Sequence, residues 1–208
     1  MLLRECTVRQ FTEILASKAP APGGGSAAAL NGALASALVH MAGSLTVAKE
    51  KYKEFHAEVQ EIMDSAKGLE ARLLAGIDED AEAFSKVSAA FSLPRETPEQ
   101  KAARSEAMQA ALKGAAVTPL ETMKAALECL KLAERALGKT NPSCVSDLGV
   151  AAVCARAAVK SAWLNVKANL SGIKDGDFVD RTGFEARKIL AASEKLAGEL
   201  YGKVERET

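Results

Sequence analysis

The chain has 208 residues, 48% of them hydrophobic but only 4% aromatic, so its core must be built from Ala, Leu, Val, Ile and Met. Lys and Arg number 27 and so do Asp and Glu, a balance that argues against general affinity for nucleic acid or an anionic membrane surface, which need a basic excess. Zero net charge mildly favours assembly over a lone monomer.

The first element predicted is a short helix. Thr7-Val8-Arg9-Gln10 fits a capping box, with Phe11, Ile14 and Leu15 as its apolar stripe and Pro20 and Pro22 as its stop. Gly23-Gly24-Gly25-Ser26 follows. From Ser26 to Ala48 there is then no Asp, Glu, Lys or Arg, about 23 residues and long enough to span a bilayer. Its Ala, Gly and Ser content, with Asn31 and His40 inside, favours instead a central helix wrapped by others.

After a basic hinge at Lys49 to Tyr52, a long helix is expected over 55–91, open to bending near Gly76 and ended by Leu93-Pro94. Thr97-Pro98-Glu99-Gln100 starts the next helix with a second capping box. Pro119 is expected to kink or divide that helix, and Gly138 to end it. A turn at Asn141-Pro142-Ser143, a second small-residue helix over 146–170, a loop over 172–177 and a final helix complete the chain. No strand alternation, repeat or low-complexity linker is visible. The expectation is an all-α, up-and-down bundle of about six long helices, one domain over 1–208.

The four cysteines, Cys6, Cys129, Cys144 and Cys154, form no CxxC pair and have no histidine at ligand spacing. No structural metal site is expected from them; reduced thiols in a cytoplasmic core are. The opening MLLRECTVRQ carries no apolar signal region, so secretion is not expected.

Four stretches could carry chemistry. Gly23, Gly24, Gly25 and Ser26 could present free helix N–H groups to an anion, or simply turn a corner with Ser26 as N-cap. There is no GK[ST] for a P-loop and no preceding strand for a dinucleotide loop. Lys49 and Tyr52 could bind a carboxylate or stack on a ring, or merely cap the helix dipole. In Asp78-Glu79-Asp80, Asp80 shares a helix face with Phe84 and could point inward, or the run could be a solvated charged face. On the helix that begins Ser146-Asp147-Leu148-Gly149, residues Asp147, Cys154, Ala158, Asn165 and Asn169 share one face, with Arg156, Lys160 and Lys167 opposite. Asp147 could equally be an ordinary first-turn acid. Asp147 and Asn165 are roughly 27 Å apart along that helix, so within one subunit they cannot serve the same atom. His40 reads as a hydrogen-bonded core residue and His56 as an exposed one.

Taken in order, a set of blocks resembles the cyclodeaminase/cyclohydrolase family. Its members include the C-terminal domain of formiminotransferase-cyclodeaminase and stand-alone bacterial proteins of about this length. The blocks are Phe11 with Leu15-Ala16; Pro20-Ala21-Pro22-Gly23-Gly24-Gly25-Ser26-Ala27; Leu45-Thr46 with Lys49 and Tyr52; and Asp80-Ala81 with Ala83-Phe84. Leu93-Pro94, Arg104, Ala115-Ala116 with Pro119-Leu120, Ser146-Asp147-Leu148-Gly149, Asn165-Val166 and Asn169-Leu170 continue them. Ala48 stands where the family pattern has glycine.

The resemblance implies closure of 5-formiminotetrahydrofolate to 5,10-methenyltetrahydrofolate with loss of ammonia. The alternative is hydrolysis of 5,10-methenyl- to 10-formyltetrahydrofolate. It implies a folate substrate, no metal and no redox cofactor. Asp80 or Asp147 would then move the proton, Asn165 and Asn169 would meet the pterin or orient water, Tyr52 would stack on a ring, and the glycine loop with Lys49 would hold the anionic glutamate tail. A homodimer or larger assembly is expected, because Ala- and Gly-rich helices suit close packing across a two-fold axis. A reading of another class is a non-catalytic helical scaffold or folate-binding module.

Overall fold

The computed structural model describes residues 2–208. Six α-helices follow one another without a strand among the described residues: α1 (Val8–Leu15), α2 (Gly24–Val47), α3 (His56–Phe91), α4 (Pro98–Ala136), α5 (Val145–Leu170) and α6 (Gly176–Glu207). Short 3-10 segments lie at Leu3–Glu5, Glu50–Phe55 and Pro142–Cys144.

Local chemistry sets the helix ends. Both capping boxes form: the Thr7 hydroxyl accepts from Gln10 N–H and the Thr97 hydroxyl from Gln100 N–H, while each glutamine side chain reaches back to the cap backbone. Gly138, at φ 77°, ends α4 in the left-handed region that glycine adopts without strain. Asp175 caps α6 by accepting from Phe178 N–H at 3.0 Å. The Gly23–Ser26 corner differs from expectation. Gly23 is the N-cap of α2, and Ser26 lies inside the helix with its side chain turned elsewhere.

Pro119 neither divides nor ends α4, which runs on as one helix on both sides of it. A proline there lacks an N–H and so leaves the carbonyl of Ala115, four residues earlier, without its helical donor.

From α2 onward the helices run alternately up and down, α2 packing on α3 and α5, and α4 on α3, α5 and α6. Three buried clusters hold them. The largest joins Val39, Ile62, Leu130, Leu148 and Leu200. A second gathers Met123, Val159, Val166 and Ile189. A third pins α1 to α2 and α3 through Phe11, Ala29 and Ile77. Small residues permit the close approaches: a Cβ on Gly32 would come within 2.8 Å of Leu73, and one on Gly149 within 2.8 Å of Val204.

Two helical segments, Gly24–Val47 and Pro142–Leu170, are long and apolar enough to cross a membrane, yet half of each apolar window is buried inside the bundle. They are its two central helices, as the uncharged stretch suggests. Of the cysteines, Cys129 and Cys144 are buried and Cys6 and Cys154 half-buried, all as free thiols. Burial pushes the Cys129 thiol up to about 11.

Candidate active site

The three consecutive acids of α3 meet three different fates, because successive side chains on a helix point about 100° apart. Asp78 turns to the chain start, accepting from Leu3 N–H at 2.6 Å and lying 3.5 Å from the Arg4 guanidinium. Glu79 pairs with Arg72 at 2.8 Å on the surface. Asp80 turns into the bundle beneath the glycine corner.

There, the Ser26 hydroxyl lies 2.9 Å from Asp80 Oδ2 and 3.1 Å from the Ile77 carbonyl oxygen. Burial pushes the Asp80 carboxyl above the usual carboxylate range, and the hydroxyl and backbone N–H of Ser26 draw it only partly back. Gly25 is obligatory beside it: a Cβ at that position would overlap the Asp80 carboxylate. The corner thus has a defined task, which is to bring helix backbone against a half-buried carboxylate.

Asp80 opens into a cleft of about 300 Å³ lined by Gly23, Gly24, Gly25, Phe84, Asn165 and Asn169 among others. The two asparagines come from one turn of α5. Asn165 Nδ2 donates to the Ser161 carbonyl at 2.9 Å, and Asn169 Nδ2 donates to the Ala115 carbonyl at 2.8 Å. The second bond explains Pro119. The proline releases the Ala115 carbonyl from its own helix, and Asn169 takes the vacancy, which fixes how its amide faces the cleft. Pro119 went unread as a site residue, although a proline inside a helix always signals a freed carbonyl four residues earlier.

The cleft gathers seven of the ten residues singled out in the sequence: Gly23, Gly24, Gly25, Asp80, Asn165 and Asn169 line it, and Ser26 holds Asp80. It does not gather Lys49, Tyr52 and Asp147. These lie at the far end of the same two helices, since α2 is about 36 Å long and runs antiparallel to α5. Tyr52 Oη donates there to Asn141 Oδ1 at 3.1 Å, and Asn141 N–H donates to Thr46 Oγ1 at 2.8 Å. Tyr52 is therefore engaged in closing the α2 and α5 ends. Asp147 is a half-buried first-turn acid of α5. Lys49 is exposed and forms the N-cap of the 3-10 turn, where its carbonyl lies 3.2 Å from His56 Nε2. His56 is accordingly half-buried rather than exposed. His40 is also half-buried, 3.4 Å from the Ser44 hydroxyl.

The arrangement in the cleft can move a proton. It offers one carboxyl with a raised proton affinity, two amides with anchored N–H groups, and an apolar wall at Phe84 and Val87.

Comparison with known proteins points the same way. The family model described as formiminotransferase-cyclodeaminase matches residues 7–188. The chain is 40% identical over 198 residues to methenyltetrahydrofolate cyclohydrolase of Methylorubrum extorquens, covering 95% of each chain. It is 30% identical over 203 residues to formimidoyltransferase-cyclodeaminase of Rattus norvegicus, 98% of this chain but 38% of that one. Its fold matches the crystal structure of formiminotetrahydrofolate cyclodeaminase from Thermotoga maritima with a TM-score of 0.82 at 25% identity, covering 99% of this chain and 96% of that one. With most of its length inside the family match, and with the glycine corner, Asp80 and the paired asparagines in one cleft, this chain belongs to the formiminotransferase-cyclodeaminase family.

Proposed function

We propose that this chain is an enzyme acting on the carbon that bridges N5 and N10 of a reduced folate, and that Asp80 is its general acid and base. The observation that carries the reading is the Asp80 carboxyl, raised by burial and opening into a cleft whose other polar groups are two anchored asparagine amides.

In the hydrolytic direction, water adds to the methenyl carbon and gives up a proton to Asp80. The tetrahedral carbon then breaks its bond to N5, which takes that proton, while the remaining hydroxyl proton passes to the freed carboxylate and on to solvent as the formyl C=O forms, and 10-formyltetrahydrofolate leaves. In the cyclodeaminase direction, N10 adds to the formimino carbon and loses its proton. The protonated carboxyl then delivers a proton to the departing nitrogen, which leaves as ammonia. Both reactions need a carboxyl that takes up a proton and gives it back, which the raised proton affinity of Asp80 favours. Neither scheme calls on a metal or redox cofactor. The Asn165 and Asn169 amides are read as holding the pterin edge or the attacking water.

Two observations weigh the reactions. Identity of 40% over nearly the whole of both chains to a cyclohydrolase favours hydrolysis. The fold shared with the Thermotoga maritima cyclodeaminase supports the ammonia-releasing reaction on the same scaffold. Supplying each substrate and following methenyl-folate absorbance separates them: loss of absorbance from the methenyl substrate marks hydrolysis, and gain from the formimino substrate marks cyclodeamination. Folate binding without turnover of either substrate would return the protein to the class of binding modules.

We also infer a single cytoplasmic domain that works as a homodimer. The support is a set of exposed apolar side chains on the two central helices, Leu34, Met41 and Leu45 on α2 and Val150, Val153 and Leu164 on α5. A second copy seated there on a two-fold axis is also the one route by which Asp147 could meet Asn165. Sedimentation of the wild type and of Leu34→Glu tests it: a wild type that sediments only as a monomer removes the dimer, and with it any role for Asp147 in the cleft.

A further inference from the structure

Four cations gather at one place that the proton chemistry does not use. Arg95, Lys101, Arg104 and Lys174 line a concavity of about 500 Å³ together with Phe91, Ser105, Met108 and Gln109, and no Asp or Glu lines it. Elsewhere this electrically neutral chain pairs its charges freely, but none of these four takes part in an ion pair among the described residues. Two of them are held in place. The Arg104 guanidinium donates to the Phe91 carbonyl at 2.9 and 3.2 Å and sits over the Phe91 ring. Lys174 Nζ lies 3.3 Å from the Ser105 hydroxyl, and its backbone N–H donates to Gln109 Oε1 at 2.7 Å.

The concavity lies along the same face of α3 as the cleft. Asp80, Phe84, Val87 and Phe91 lie within about 60° of one another on a single face of α3. The first three line the cleft and the fourth lines the cationic concavity. Phe91 is about 16 Å beyond Asp80 along the axis, and Arg104 is the same distance from Ala115 on the antiparallel α4. An aminobenzoyl group followed by glutamyl units can bridge that span, passing the Phe84 and Val87 wall on the way.

We propose that Arg95, Lys101, Arg104 and Lys174 form the site that holds the carboxylates of the substrate's glutamate tail. This rests on the folate reading above and reassigns the tail. Lys49 lies at the wrong end of α2, and the backbone and hydroxyl of Ser26 at the glycine corner are already committed to Asp80. Each added γ-glutamyl unit brings another carboxylate to cations that have no partner of their own, so affinity grows with tail length.

The test uses the double charge reversal Arg95→Glu with Lys101→Glu, both exposed and unpaired, and Lys203→Glu on α6 as a distant control. With a polyglutamylated methenyl substrate, the double variant raises KM roughly ten-fold or more while kcat stays close to wild type. With the tetrahydropteroate analogue, which lacks glutamate, it changes neither constant. The polyglutamyl KM of the wild type also rises with salt, as exposed charges require. Equal effects on tailed and tail-less substrates, or none on either, overturn the proposal. Calorimetry with hexa-γ-glutamate alone separates its failure from failure of the folate reading. A peptide that binds the wild type but not the double variant keeps the site even if neither folate turns over. A peptide that does not bind, or that loses to a short RNA, rejects it.

Discussion

The two ends of the α2–α5 pair carry comparable sequence signals and opposite structural outcomes. At one end Gly25, Ser26, Asp80 and Asn169 converge on a cleft in which a carboxyl is largely desolvated and its neighbours are fixed. At the other, Tyr52 spends its hydroxyl on Asn141, Lys49 stays in solvent, and Asp147 remains a first-turn acid. Both ends have a polar residue beside a small one on a central helix. What separates them is packing. The glycine corner admits a third helix, α3, close enough to strip water from a charge, while the far end is closed by a turn that satisfies its own polar groups.

The sharpest way to break this comparison is to remove one carboxylate from each end. Asp80→Asn is expected to lower kcat by about 10²–10⁴-fold, while Asp147→Asn leaves kcat within a few-fold. Equal losses would show that the far end of a partner subunit completes the cleft. The same pair separates on stability. The Asp80 pKa is raised by folding, so the native state holds a proton in the window where the unfolded chain has released it. Stability therefore falls as pH rises through that window, and the full penalty is present above the native pKa. Asp80→Asn should raise the melting temperature at pH 8 and lose that advantage near pH 3, an inactive but more stable protein. An unchanged difference across pH would mean that Asp80 carries no burial penalty.

A smaller effect comes from Gly25→Ala. The new Cβ overlaps the Asp80 carboxylate and must displace it, at a cost on the order of 10²-fold in kcat/KM with the fold retained by circular dichroism. Activity close to wild type would show that the carboxylate has freedom to move aside.

The smallest effect is expected of Pro119→Ala. It restores an N–H that competes for the Ala115 carbonyl and loosens Asn169. KM should rise several-fold while the helix itself gains stability, by up to about 3 kcal/mol. A variant with higher stability and unaltered KM would detach Asn169 from substrate binding.

The helix boundaries were legible in the sequence because they depend on partners three or four residues away. Thr7 with Gln10, Thr97 with Gln100, Pro98 and Gly138 each act within one turn, and each end stands where those residues put it. The glycine corner and the asparagine pair could be picked out as candidates for the same reason. Which of Asp78, Glu79 and Asp80 faces the glycine corner was settled by the pairing of α3 with α2, since a run of three acids presents every face of the helix in turn. That Pro119 serves Asn169, and that Lys49 and Asp147 lie away from the cleft, were likewise decided by the antiparallel packing of helices far apart in the chain. Capping is a local hydrogen-bond balance, written in adjacent residues. Burial of a charge is a property of what three helices leave between them.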